Sequence, residues 1–247
     1  MLFRKYIIFG IFLLFWNLSC GQDIITVDGN IPIILSAPHG GSNETLKIKN
    51  RESGVTSKDS YTIELLQEIS NEIQLILRKQ PSIVYSNRSR KEIDFNRSVD
   101  DAFVDKGIEK LYYQYHFEIQ NQIMYNIWSD SVILYVDIHG QAHKHELLEI
   151  GFDKRVFTEN EMLLGNMYIS KGIKCYPSTD TKEPTPYFDG GHSIETYKSY
   201  PNVVAVQLEV PAKYRKISKS RKEFAKKTAL ILVEYYKVLQ KEKSENE

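Results

Sequence analysis

Two histidines follow apolar segments, at positions where a side chain can bind a metal ion. His39 lies in a Ser-Ala-Pro-His-Gly-Gly turn, where Pro38 fixes the backbone and the glycines let a ligand come close. His139 follows the apolar run 132–138, which also contains Asp137. Buried polar groups need partners, and a metal bound by His139 and oriented through Asp137 would satisfy both. The alternatives are a surface turn for His39 and a hydrogen-bonded core histidine for His139.

A carboxylate could complete this ligand set. Asp59 is the first candidate, because two histidines and one carboxylate with an open position form a common catalytic zinc set. The segment 56–59, Thr-Ser-Lys-Asp, also fits a helix-capping box, which would give Asp59 a structural role instead. Glu44 is a weaker candidate that lies closer to His39 in the sequence.

Glu209 stands inside the apolar segment Val-Gln-Leu-Glu-Val and is a candidate general base. In a desolvated cleft beside a metal, the pKa of such a carboxyl group rises toward a value useful for proton transfer. The alternative is an ordinary strand residue that faces solvent.

The segment 89–97 offers groups that could bind a substrate carboxylate. Arg90 and Arg97 each carry a planar fork that can hold a carboxylate through two hydrogen bonds. Asp94 could hold an arginine in place, and Asn96 could donate to the substrate. A solvated, charged loop is the alternative interpretation.

The remaining histidines are weaker candidates. His116 lies on a helix face beside apolar residues, which is more typical of a core or supporting histidine than of a ligand. His143, His145 and His192 fall in predicted loops. The sequence contains neither a Gly-x-Ser-x-Gly elbow nor a phosphate-binding loop, so a serine nucleophile and a nucleotide site are not indicated.

Short apolar runs alternate with amphipathic runs, and this pattern predicts the elements that position these residues. It indicates one α/β domain with a central mixed, largely parallel sheet flanked by helices. Ligands of such sheets bind beyond the carboxyl ends of the strands, which is where the candidate residues stand. The predicted strands are 31–37, 82–86, 132–138, 147–150, 173–176 and 203–210, and the predicted helices are 57–79, 107–128, 159–171 and 218–240.

The N-terminal segment 1–20 differs from the rest of the chain. Arg4 and Lys5 precede an apolar run over 6–16, and Leu-Ser-Cys ends at Cys20. This layout predicts a lipoprotein signal peptide with lipidation of Cys20, although Asn17 departs from the usual aliphatic residue. A plain secretory signal and an uncleaved anchor are the alternatives. We expect a cell-envelope protein that contacts the membrane through a lipid anchor, with a catalytic domain over 21–247.

Composition narrows the classes of partner. Basic and acidic side chains balance at 32 each, which gives no reason to propose nucleic acid as a partner. With two cysteines, of which Cys20 is the predicted lipid site, a disulfide framework is not expected.

Taken in order, the candidate segments resemble the N-formylglutamate amidohydrolase family. The resemblance spans roughly residues 31–215 and rests on a series of short pieces. These pieces are 36–41, 59–62, 89–90 with 94–97, 115–116, 137–140, 149–151, 190–191 and 207–209.

The resemblance implies a zinc-exopeptidase-like fold, of the phosphorylase/hydrolase-like type, related to zinc carboxypeptidases and aspartoacylase-like deacylases. Those enzymes hold one Zn²⁺ ion beyond the sheet and use a glutamate late in a strand as the base, so the resemblance implies the same arrangement here. Carried onto this sequence, it implies metal ligands, a substrate clamp and a base. These are His39, Asp59 and His139 for the metal, Asn96 and Arg97 for the substrate carboxylate, and Glu209 for the base. Arg90 is a further candidate for the substrate clamp because of its planar fork.

Two departures from the family pattern stand out. Ser42 occupies the place of the glutamate in the carboxypeptidase His-x-x-Glu pair, which leaves the carboxylate ligand the least fixed of the three. The family's named reaction belongs to the cytoplasm, whereas the N-terminal segment of this chain predicts export. The expected function is zinc-dependent hydrolysis of an amide in a small acidic N-acyl amino acid. An envelope peptidase or amidase acting on short peptides, and an inactive binding lipoprotein, are the alternatives.

Overall fold

Four parallel strands form the centre of the fold in the computed structural model, which describes residues 22–128, 131–144, 146–153, 157–180 and 188–246. They belong to a seven-stranded mixed sheet of order β1-β3-β2-β4-β7-β5-β6, in which β1 and β5 pair antiparallel to their neighbours β3 and β7. The strands are β1 Ile24–Val27, β2 Ile31–Ala37, β3 Pro81–Ser86, β4 Ile133–Gln141, β5 Leu148–Gly151, β6 Cys175–Tyr176 and β7 Val203–Pro211.

Six α-helices accompany this sheet within the described residues. They are α1 Thr62–Leu77, α2 Val99–Ala102, α3 Glu109–Ile127, α4 Glu159–Ser170, α5 Gly191–Tyr197 and α6 Ser218–Asn246. The predicted fold class, one α/β domain with a mixed and largely parallel sheet, is confirmed. None of these helices is both long enough and apolar enough to span a membrane.

The central strands are apolar on both sides because each side of the sheet is covered by helices. Ile33 and Leu35 pack with residues of α1 and α6 in one core. Ile34, between them, packs with residues of α3 and α5 in a second core on the other side. Tyr135 of β4 belongs to this second core, so Asp137 and His139, two and four residues further on, lie on the same side of β4.

Helix α1 begins five residues later than the sequence predicted. Its first helical residue is Thr62, and its N-cap Tyr61 has a left-handed backbone (φ 66°) and makes no side-chain capping hydrogen bond. The capping-box interpretation of Asp59 is therefore wrong. Instead, the Asp59 backbone carbonyl accepts the Thr62 hydroxyl at 2.8 Å, which leaves the Asp59 carboxylate available to the sheet edge.

Some predicted features lie outside the described residues. These are the signal segment with its lipid site Cys20, and His145. They stay predictions.

Candidate metal centre and active site

Three buried side chains converge at the carboxyl edge of the sheet. His39 follows β2, Asp59 precedes α1, and His139 lies near the C-terminal end of β4. The two histidine Nδ1 atoms are 3.2 Å apart, and Asp59 Oδ2 lies 3.6 Å from Nδ1 of His39 and 3.5 Å from Nδ1 of His139. These are the three residues that the sequence singled out, and none is more than 6% exposed.

The far side of each imidazole fixes which nitrogen faces the centre. His39 Nε2 lies 2.7 Å from Asp94 Oδ1, and His139 Nε2 lies 2.9 Å from Asp137 Oδ2. An ionised carboxylate only accepts hydrogen bonds, so each Nε2 must carry the proton and donate it. In the neutral rings both Nδ1 atoms therefore present lone pairs toward each other and toward the Asp59 carboxylate. Such a convergence of three acceptors is unfavourable unless a cation or a proton lies between them.

The spacing of the three atoms fits a zinc ion. Donors about 2.0–2.2 Å from a tetrahedral ion lie about 3.3–3.6 Å from one another. The observed separations of 3.2, 3.5 and 3.6 Å match this range closely. Two imidazoles and one carboxylate are also a preferred zinc set, and carboxylates behind the imidazoles are typical supports of such ligands. His39, Asp59 and His139 therefore fit one zinc ion with a coordination position left for substrate or water.

Asp94 holds the His39 side of the centre in place. Besides His39, its Oδ1 accepts the backbone N–H of Asn96 at 3.0 Å. Its Oδ2 lies 3.1 Å from Arg90 Nε, 3.4 Å from Arg97 Nε and 3.5 Å from Arg51 Nη1. Burial raises the pKa of Asp94, but His39, Arg90 and Arg51 outweigh it and hold this pKa well below its usual range.

Asp137 holds the His139 side through a separate network. Its Oδ1 accepts the Ser36 hydroxyl at 2.6 Å, and the same Ser36 oxygen lies 2.7 Å from the Tyr135 hydroxyl. All of these groups are fully buried. Burial lowers the pKa of His139, but the carboxylates of Asp137 and Asp59 outweigh it and raise this pKa well above its ordinary value. Protons therefore compete with a cation for His139, and the competition is strongest at low pH.

Glu209 stands beside the metal candidates on the neighbouring strand. It lies directly opposite His139 in the β4–β7 register and opposite Glu149 in the β5–β7 register. Burial, together with the negative charges of Asp59 and Glu149, raises the pKa of Glu209 to about 8, against the opposing effect of His139 and Arg90. A carboxylate of this basicity, next to a metal centre, suits general-base chemistry.

An open pocket of ≈ 340 Å³ gives access to this edge. Asp59, His139 and Glu209 line it, and so does Arg90, whose Nε and Nη1 are held by Asp94 and by Asp59 at 3.1 and 3.5 Å. Arg97, by contrast, is outside the wall of this pocket, and its side chain is 39% exposed. The structure thus brings Arg90, rather than Arg97, together with the metal candidates.

Asn96 lines the pocket but has partners of its own. Its side-chain oxygen accepts the backbone N–H of Ser193 at 2.8 Å, and its amide nitrogen donates to the Gly190 carbonyl at 3.4 Å. The amide therefore ties the 89–97 segment to the start of α5. Its expected contact with substrate stays a prediction.

The weaker candidates have separate surroundings. Glu44 is bound to Ser89 and Lys91 at the surface, away from the histidines. His116 is buried with its Nδ1 2.6 Å from the Tyr197 hydroxyl, and burial lowers its pKa to about 4, as expected of a core histidine. His192 contacts the Tyr112 hydroxyl at 3.2 Å. His143 does reach the pocket wall, where its Nε2 lies 3.0 Å from Glu149 Oε2.

Two buried arginines near the site were not singled out in the sequence. Arg51 contacts Asp94 as described above, and Arg215 donates to the carbonyls of Gln141 at 3.0 Å and Val210 at 2.9 Å. A Cβ on Gly140 would lie 2.4 Å from the Arg215 guanidinium carbon, so a side chain at this position would have to displace the guanidinium. The Gly in Asp-Ile-His-Gly was the available signal, since a glycine that ends a buried strand often marks a close approach.

We expect the purified chain to bind one zinc ion and His139→Ala to weaken this binding by more than the roughly 10–100-fold that loss of an outer partner costs. Affinity should also fall as pH is lowered, because zinc must displace a proton from His139. Chelator competition with metal analysis measures both effects. His192→Ala is the matched control and should retain the ion. Equal losses in the two variants would contradict this ligand set.

Comparisons with known proteins place the fold. No family model and no curated relative matches the chain. Among solved structures, a gene product from Agrobacterium tumefaciens superposes with a TM-score of 0.68 at 12% identity, over 89% of this chain and 95% of that one. N-formylglutamate amidohydrolase from Ralstonia eutropha JMP134 superposes with a TM-score of 0.61 at 10% identity, over 89% of this chain and 98% of that one. At such identities these similarities establish a shared fold.

Proposed function

We propose that this chain is a zinc-dependent hydrolase that cleaves the amide bond of a small substrate carrying a carboxylate. The observation that carries the proposal is the convergence of His39, Asp59 and His139 beside the buried Glu209. The structural similarity to an N-formylglutamate amidohydrolase supports the same reaction class. The finer proposal is an N-acyl amino acid of the N-formylglutamate kind.

The proposed chemistry divides between the ion and the chain. A zinc ion held by His39, Asp59 and His139 would supply Lewis-acid activation of water and of the amide carbonyl. Glu209 takes a proton from the attacking water and delivers it to the leaving nitrogen. Asp94 and Asp137 keep the two imidazoles in the orientation and tautomer that the ligand set requires.

Arg90 is the side chain best placed to recognise a negative charge in the pocket. Asp94 and Asp59 fix the orientation of its guanidinium, so little conformational freedom is lost when a substrate binds. The same group could stabilise negative charge that develops on the amide oxygen. A pocket of ≈ 340 Å³ is at the small end of ligand sites, which favours an amino-acid-sized substrate.

We expect the zinc-loaded protein to release the amine from N-formyl-L-glutamate. The side-chain amide and the α-carboxyl amide of this compound each lack one carboxylate, and we expect little release of amine from them. Arg90→Lys keeps the charge but loses the fork, so we expect kcat/KM to fall about 10–100-fold, as for loss of a charged hydrogen bond. Arg97→Lys, outside the pocket wall, should change it less than about threefold.

Zinc content is measured for both arginine variants, since Arg90 also contacts Asp59. A larger loss in Arg97→Lys would move the clamp to Arg97, as the sequence predicted. Equal turnover of the charged and amidated substrates would end the proposal of a carboxylate-bearing substrate. Failure of every N-acyl amino acid and short peptide to react, with one zinc bound, would end the hydrolase proposal.

A further inference from the structure

Helix α3 carries an uncharged and largely aromatic surface on the side that faces away from the sheet. Trp128, just beyond its last residue, is 84% exposed, and Tyr125 is 76% exposed. Between positions 113 and 128 the exposed residues lack a charge, and the acidic Glu118 in this stretch is half-buried. These residues, here called the α3 outer face, are Tyr113, Gln114, Phe117, Asn121, Met124, Tyr125 and Trp128.

The long C-terminal helix shows how different this surface is from an ordinary one. The exposed positions of α6 are mostly lysine and glutamate, as is usual for a helix that packs one side on a core and presents the other to water. Large exposed apolar surfaces are uncommon in soluble domains and mark sites of protein or membrane contact. The α3 outer face runs along a helix of 19 residues, a length of about 28 Å.

The composition of the face fits the boundary between lipid and water. Tryptophan and tyrosine concentrate at that boundary, because each has an apolar ring and a polar group that stays hydrated. Phe117 and Met124 add purely apolar surface, while Gln114 and Asn121 supply polar groups at the same level. The lack of charge along the face matches a layer without net charge better than it matches a polyanion.

The predicted signal segment is the reason to choose a membrane as the partner of this face. Its sequence contains the apolar run 6–16, and residues 17–21 separate this run from Gln22. A fully extended segment of that length reaches less than about 20 Å, and lipidation at Cys20 would shorten the tether further. If the predicted signal segment stays as an anchor or Cys20 is lipidated, the start of β1 is held close to the bilayer; a plain secretory signal would leave no tether.

Strand β1 in turn packs directly on α3. Ile24 lies in the same core as Tyr115 and Ile119, and Gln122 donates to the Asp28 carboxylate, just after β1, at 2.6 Å. The element nearest the tether is thus the partner of the helix with the aromatic surface. We propose that the α3 outer face rests on the surface of a lipid bilayer and orients the tethered domain. This inference is independent of the proposed catalytic function.

Trp128 makes the contact measurable. The chain has two tryptophans, so the full-length Trp16→Phe variant emits from Trp128 alone. This variant is incorporated into phosphatidylcholine vesicles, with or without bromine on the acyl chains. We expect Trp128 emission to shift to shorter wavelength relative to the denatured chain and to be quenched by the brominated lipid. Adding Phe117→Ser, Met124→Ser and Tyr125→Ser should remove most of that quenching.

The matched control removes three exposed apolar side chains elsewhere. Leu46, Leu75 and Ile217 are 107%, 60% and 63% exposed, and their replacement by serine should leave the quenching unchanged. Three results would overturn the proposal. One is a vesicle-bound chain whose Trp128 is quenched by aqueous iodide but not by brominated lipid. The others are an equal loss in the control, and a dimer in which α3 is buried and Trp128 escapes both quenchers.

Discussion

Glu209→Gln should lower kcat by about 10²–10⁴-fold, the usual cost of losing a general base, while zinc content and melting temperature stay near those of the parent chain. Glutamine keeps the size of the side chain, so no cavity forms in the β7 edge. The zinc should remain because the three ligand atoms come from other residues. Steady-state kinetics, metal analysis and a thermal melt on the same preparation measure these quantities.

The pH profile gives Glu209 a signature of its own. A base works in its ionised form, so activity is lost as pH falls through its pKa. Burial raises that pKa to about 8 before any cation is bound, and the charge of a nearby zinc ion stabilises the carboxylate. We therefore expect kcat/KM to rise with pH, with the midpoint of this rise at or below pH about 8. The residual activity of Glu209→Gln should lack this rise.

Glu149→Gln is the control for this experiment. Glu149 is as buried as Glu209 and lies opposite it on β5, but it is outside the wall of the pocket. Its loss should cost much less than that of Glu209. Full activity in Glu209→Gln would remove the base assignment, and loss of zinc in that variant would instead make Glu209 a ligand.

The sequence was a good guide to the central sheet because hydrophobic periodicity reports burial directly. The four parallel strands at the centre were located to within about three residues at each end, since each is buried on both sides and reads as a continuous apolar run. Strand β1 was not predicted. Its four residues are half-buried at the sheet edge, and their pattern is too short to distinguish from a loop.

The two short helices were missed for related reasons. Helix α5 begins at Gly191, whose left-handed backbone (φ 64°) is typical of a turn, and its capping contact comes from Asn96, almost a hundred residues earlier. Helix α2 has four residues, which is below the length at which a helical period can be recognised.

The candidate site was predicted in part. His39 and His139 were found because polar residues at the carboxyl ends of buried strands need an explanation. Asp59 lies before α1 and was a candidate only because a carboxylate completes a common zinc ligand set and because the family resemblance implied it. The choice between Asp59 as a ligand and as a helix cap could not be made, because it depends on where α1 begins. Arg97 was preferred over Arg90 as the substrate clamp. The sequence could not decide between them, because the direction of a side chain in a loop depends on tertiary contacts. The partners of Arg51 come from its own loop and from the distant segment 89–97, which no local pattern reveals.

Asp94→Asn should destabilise the fold by about 3–5 kcal/mol and weaken zinc binding roughly 10–100-fold. The Asp94 carboxylate is fully buried and lies against His39, Arg51, Arg90 and Arg97. An asparagine removes the negative charge that the buried Arg51 guanidinium faces, while Arg90 keeps its contact with Asp59. It also places either an oxygen or an NH₂ group against His39, and in the second case the proton on Nε2 loses its acceptor.

The stability effect should depend on pH in a defined direction. The pKa of Asp94 in the folded chain is well below the ordinary value of 3.8. Its contribution is therefore complete above the unfolded pKa and is lost as pH falls through the folded one. Denaturant unfolding of the metal-free proteins should show a gap between parent and variant that is constant near neutral pH and narrows on acidification below about 4.

Glu92→Gln separates the metal effect from the stability effect. Glu92 is 1% exposed and lies 2.8 Å from Arg88 Nε, so its loss also breaks a buried ion pair, two residues from Asp94. Its other oxygen accepts the backbone N–H of Thr45 at 2.7 Å, and its contacts involve neither histidine of the metal centre. We expect Glu92→Gln to lower stability and keep the zinc affinity, and Asp94→Asn to lower both. Equal zinc affinities in the two variants would show that Asp94 stabilises the fold without positioning His39.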